Sequence, residues 1–180
     1  ILAASLPKFY LATLRDQVAE QYVNAVKAGA FTQKQANDGM AELDRIIAQV
    51  TKDGTVPEKM SPQFLSLFPP ENLKFWQNAN QYDPQRLAAN LPANIKVLLL
   101  CGQKDVQVPC SSEKLLADAF KQGSNKGMQF VELMNVNHVF KEVEGVPNPA
   151  IDYTDPAKPF SREAARAITE FIKVTLFPQR

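Results

Sequence analysis

The chain has 180 residues, a formal net charge of +1, 45% apolar and 22% charged residues, and one histidine. This is the balance of an ordinary globular chain, long enough to bury a sizeable core as one domain or two small ones. A near-neutral charge without Lys or Arg runs argues against nucleic acid as a partner. No window approaches about 18 consecutive apolar residues, so no membrane-spanning helix is expected. One histidine and two cysteines fall short of the ligand set of a usual zinc site.

The chain opens on Ile1, and the segment Ile1 to Pro7 lacks the basic start of a signal peptide. Leu11, Leu14, Val18, Tyr22 and Ala25 then fall on one stripe of a helix, which Gly29 stops. Thr32 with Gln35 three residues on has the capping-box pattern. It opens a second helix whose stripe is Ala36, Met40, Leu43, Ile47 and Val50. The two should fold back as an antiparallel hairpin. Ser61-Pro62 and Asp83-Pro84 each read as an N-cap followed by a proline at the first helical position. The stretch between them is rich in Phe and Leu and includes Trp76. It serves either as helix packing or as an apolar pocket wall.

After Pro92 the pattern changes. Residues 95–101 form a short apolar run that reads as a buried strand. A turn holding Asp105 follows, then a helix opened by Ser111 or Ser112 and ending near Gly123. Residues 128–134 read as a second strand, followed by a loop with His138. A proline-rich irregular stretch leads to a last helix that starts at Ser161, with Arg162, Arg166 and Lys173 on its solvated face. Strand, helix, strand, helix is the order of a parallel α/β sheet. Two parallel strands do not make an independent sheet. Further strands are therefore expected from elsewhere, and the chain reads as the C-terminal part of a larger α/β protein.

Asp105 and His138 each sit just past the carboxyl end of a strand, where sites of parallel sheets lie. Adjacent strands run about 5 Å apart, so the two loops can bring carboxylate and imidazole together. Such a carboxylate fixes the tautomer and aims the other ring nitrogen as a base. Glu132 and Glu142 flank His138 in sequence and could take the place of Asp105. Cys110 at a helix start is a candidate thiolate nucleophile; an inert cysteine near the core is the commoner reading, and a disulfide to Cys101 is a further alternative.

The segment from Lys96 to Pro109, a hydrophobic strand followed by Gly102-Gln103-Lys104-Asp105-Val106-Gln107-Val108-Pro109, resembles the acid-bearing strand and loop of the α/β-hydrolase superfamily. The segment from Met128 to Phe140 resembles its last strand and histidine loop. Residues 91–177 thus look like the C-terminal lobe of that fold, and the subgroup they most resemble is the serine aminopeptidase-like and dienelactone hydrolase-like esterases. The resemblance implies Asp105 as triad acid and His138 as triad base, in the family's order of nucleophile, acid, base. It implies a helical cap over 1–90, a C-terminal lobe over 91–180, a small-molecule acyl substrate, and no metal or organic cofactor. The nucleophile elbow Gly-x-Ser-x-Gly is missing from the sequence, so the serine is expected before Ile1. The chain alone is then expected to be inactive, with its sheet edge covered by the N-terminal half of the hydrolase or by self-association. The rival functions are a non-catalytic interaction module and a thiol hydrolase using Cys110.

Overall fold

The computed structural model describes residues 1–177. The chain divides into two compact units, Lys8–Asp83 and a second made of Ile1–Pro7 with the chain from Pro84 onward. The first is narrower at both ends than the 1–90 region read from sequence. It is an insertion in the chain of the second.

The inserted unit is helical. Helix α1 (Tyr10–Lys27) buries Leu11, Val18 and Tyr22, and Gly29 takes the left-handed conformation just beyond it. Helix α2 (Gln33–Asp53) opens on the expected capping box, with Thr32 and Gln35 exchanging backbone hydrogen bonds, and ends at left-handed Gly54. Its buried face is Ala36, Gly39, Leu43, Ile46 and Val50, so Ile46 lies deeper than the expected Ile47. Arg15 grips Asp44 through both carboxylate oxygens, and Tyr22 lies over Gly39, where a Cβ would come within 2.1 Å of its hydroxyl. As the residue number rises on α1 it falls on α2, so the hairpin is antiparallel. Helix α3 (Pro62–Leu67), the Phe68 that ends it and helix α4 (Leu73–Ala79) add Phe64, Phe68 and Trp76 to the same core. Ser61 stands at the N-cap of α3, but its hydroxyl makes no capping bond.

The second unit is a parallel α/β unit. Strand β1 (Leu2–Ala3) precedes the insertion; α5 (Pro84–Ala89), β2 (Val97–Gly102), α6 (Cys110–Gln122), β3 (Met128–Leu133), α7 (Pro149–Asp152) and α8 (Arg162–Leu176) follow it. The sheet order is β1-β2-β3, with Leu2 opposite Leu99 and Leu99 opposite Phe130. Both pairings are parallel. The expectation of two strands is therefore corrected to three; β1 pairs along the edge of β2 at Leu99 and Leu100. Every residue of β2 is buried, as a central strand between two covered faces requires. Leu99 and Val97 pack with α6 on one face, while Leu98 and Leu100 pack with Ala164 and Phe171 of α8 on the other. Helix α6 starts at Cys110 behind Pro109, not at Ser111 or Ser112, because the Glu113 N–H already reaches the Pro109 carbonyl at 3.2 Å. Ser161 caps α8 through the Ala164 N–H, and Arg162, Arg166 and Lys173 are exposed. No helix among the described residues is long and apolar enough to cross a membrane.

Candidate active site

Strand β2 delivers the acid. It ends at Gly102, where a Cβ would lie 2.1 Å from the Val136 carbonyl oxygen, so glycine lets the strand end close against the loop that follows β3. The Lys104 N–H donates to that same carbonyl at 3.0 Å, and the Asp105 N–H donates back to Gly102 at 3.0 Å. The chain turns, and the Asp105 side chain folds over its own continuation. Its Oδ1 accepts the Gln107 and Val108 N–H groups, both at 2.8 Å. This is the local bonding that makes Asp a turn residue. Its side chain has no solvent exposure.

The base comes from the loop after β3. Val136 pairs with Glu142 across a narrow loop, and Asn137 ties its base. The Asn137 Oδ1 accepts from Val139 N and Lys141 N at 3.1 and 3.0 Å. Phe140 closes the loop with φ of 60°, a left-handed conformation that costs a bulky residue roughly 1–3 kcal/mol. It is held there because its ring is buried in the core with Val136 and Leu133 and its carbonyl accepts the Ser161 N–H at 2.8 Å. His138 stands at the tip between these anchors. Its Nδ1 lies 2.9 Å from Asp105 Oδ2, and its side chain keeps 28% of its exposure. An ionised carboxylate can only accept, so Nδ1 carries the proton and Nε2 is the basic nitrogen.

The two residues singled out from sequence are therefore brought together, on loops leaving the same end of adjacent parallel strands. The other candidates are elsewhere. Glu132 pairs with Lys114 at 3.2 Å and accepts from Gln103, while Glu142 accepts the Arg162 N–H. Cys110 is bonded to Cys101 in a disulfide. It has no thiol to ionise, and the thiolate nucleophile is withdrawn. Among the described residues, no serine, threonine or cysteine side chain is hydrogen-bonded to His138.

Two further residues lie near the pair. The ring of Tyr153 lies along that of His138, centroids 6.2 Å apart and planes at 27°. Burial, with the charges of Asp105 and Asp152 added, pushes its hydroxyl up to about 12. It follows α7, which Asp152 holds by accepting the Asn148 N–H at 2.6 Å and by pairing with Lys158. The Lys158 ammonium, then the Asn148 N–H, keeps Asp152 below the ordinary carboxylate range. Glu113, in the first turn of α6, is wholly buried. Neither carries a sequence signal: Tyr153 lies in a proline-rich stretch without periodicity, and Glu113 stands beside Lys114 and two serines, as on a solvated face.

Fold and site define a class: a parallel α/β unit presenting a carboxylate–imidazole pair at the carboxyl end of its sheet. No protein-family model, curated protein or solved structure matches the chain.

Proposed function

We propose that the chain is part of a serine hydrolase of α/β-hydrolase type, acting on carboxylic esters or related acyl substrates. The observation that carries this reading is the 2.9 Å contact between His138 Nδ1 and a fully buried Asp105. His138 is the general base: Nε2 takes the proton of a serine hydroxyl, supplied from outside this chain, as that oxygen attacks the acyl carbon. Asp105 holds the ring in the required tautomer and stabilises the imidazolium that forms. His138 then returns the proton to the leaving group, and water repeats the sequence to free the acid. Oxyanion-hole donors would also come from outside the chain, so the isolated chain lacks most of the rate enhancement.

An interaction module is the second reading. It is favoured by β1, which pairs with β2 on one side, and by the exposed Ile1, Leu2, Leu6, Leu87 and Ile95, which line one apolar groove with it. The two readings separate when the protein is expressed with the sequence encoded in frame before Ile1. Hydrolysis of activated esters and labelling by a serine-directed phosphonate, both lost in His138→Ala, support the hydrolase. An unlabelled, inactive longer protein overturns it.

A further inference from the structure

In the sheet unit, the buried polar atoms without a hydrogen-bond partner among the described residues belong to Ser5, Glu113, Asn137 and Tyr153. All four lie beyond the carboxyl ends of the strands. Ser5 follows β1, Glu113 follows the Asp105 turn, Asn137 precedes His138, and Tyr153 lies along the His138 ring. Glu113 is the extreme case. It is 0% exposed, and neither carboxyl oxygen has a hydrogen bond of ordinary geometry.

A carboxylate stripped of water and given no donor in ordinary hydrogen-bond geometry is among the costliest groups a protein can bury, and the usual escape is to take up a proton. Among the described residues no cation is paired with Glu113. Lys114, the next residue, is paired with Glu132 at 3.2 Å. The Ser5 backbone N–H favours the charged form, as does the N-terminal end of α6. Burial opposes it more strongly, and the nearby Asp105 charge adds to that opposition. The balance pushes Glu113 up to about 8.

We propose that Glu113 is a positioning residue, held as a neutral carboxylic acid behind the Asp105 turn so that the negative charge of the site rests on Asp105. As a neutral acid it fills its buried place in the first turn of α6 without adding a second negative charge near Asp105. When the pH rises, its proton passes to solvent. A second anion then forms near Asp105 with no paired cation among the described residues, and the turn that holds Asp105 Oδ1 is loosened. This consequence for catalysis rests on the hydrolase reading; the protonation itself does not.

Glutamate carboxyl carbon resonances of the full 180-residue chain test the protonation directly. One resonance should titrate near 8 and be missing from folded Glu113→Gln; a Glu113 resonance that titrates in the ordinary carboxylate range overturns the proposal. In equilibrium unfolding, the native state holds one more proton than the unfolded chain between the unfolded value near 4.5 and the folded value near 8. Stability is therefore highest below that window and falls as pH rises through it. The folding constant of the wild type should drop by about tenfold per pH unit relative to Glu113→Gln, while the exposed-site control Glu170→Gln tracks the wild type. Equal pH dependence in wild type and Glu113→Gln overturns the proposal. In the longer esterase, wild-type turnover should decline on the alkaline side near pH 8 and Glu113→Gln should extend that limb; superimposable profiles overturn the positioning role. A glutamate titrating near 8 in a longer protein without esterase activity would end the hydrolase reading and leave the protonated Glu113 standing.

Discussion

The disulfide between Cys101 and Cys110 closes a ring around the segment that carries Asp105, and its removal has a calculable effect. The two cysteines are nine positions apart. Freeing a loop of that length returns to the unfolded chain a conformational entropy worth about 2.6 kcal/mol at room temperature. Reduction is the cleaner perturbation, because both sulfurs stay in place and no cavity is opened. Cys101 is 0% and Cys110 4% exposed, so the reduced sample should be prepared by refolding in excess dithiol and its two thiols counted. The readout is native-state amide exchange at Leu98, Leu99 and Leu100, at the centre of the sheet. A loss of about 2.6 kcal/mol corresponds to exchange about 80-fold faster. Amides of α2, which lies in the other compact unit, provide a reference in the same sample. The Asp105 turn should survive, since the Gln107 and Val108 N–H bonds to Oδ1 do not depend on the sulfurs. Unchanged exchange in β2 with both thiols free would refute the reasoning, as would loss of the His138–Asp105 contact on reduction alone.

Leu43→Ala, at a position with no solvent exposure, should cost the helical unit about 2–5 kcal/mol; the fluorescence of Trp76, the one tryptophan and a member of the same core, reports it in urea titration. Gly102→Ala forces a Cβ against the Val136 carbonyl and should destabilise the sheet unit by about 1–3 kcal/mol, with His138 ring shifts in NMR spectra marking displacement of its loop; an unshifted His138 would contradict the role given to Gly102.

Much of the local structure was legible because it rests on short-range rules. The Thr32–Gln35 capping box, the apolar faces of α1 and α2, and Ser161 at the start of α8 are each specified within a few residues of chain. So was β2, whose uninterrupted apolar run reflects burial on both faces. Strand β1 was not legible: two residues, Leu2 and Ala3, are too few to show a period, and they become a strand only because β2, far along the chain, offers an edge. The start of α6 was misplaced because the serines at 111 and 112 are good caps, whereas the chain enters the helix from Pro109 with Cys110 tied to Cys101. Asp105 and His138 were readable because each follows a recognisable strand, and parallel pairing then makes them neighbours. Tyr153 and Glu113 come near the pair through tertiary packing, which leaves no trace in residue spacing.

The central claim is that Asp105 and His138 work as the acid and base of one hydrolytic site. The measurement that tests it most directly is the kcat of Asp105→Asn in the protein expressed with its in-frame upstream sequence, with an activated ester as substrate. Asparagine keeps the size of the side chain and can accept the turn's N–H groups, but it carries no charge and can impose the wrong tautomer on the histidine. The account predicts a loss of about 10⁴-fold, the order seen when the equivalent carboxylate of a serine protease becomes an amide, with the folded spectrum retained. Turnover of Asp105→Asn equal to that of the wild type would contradict it.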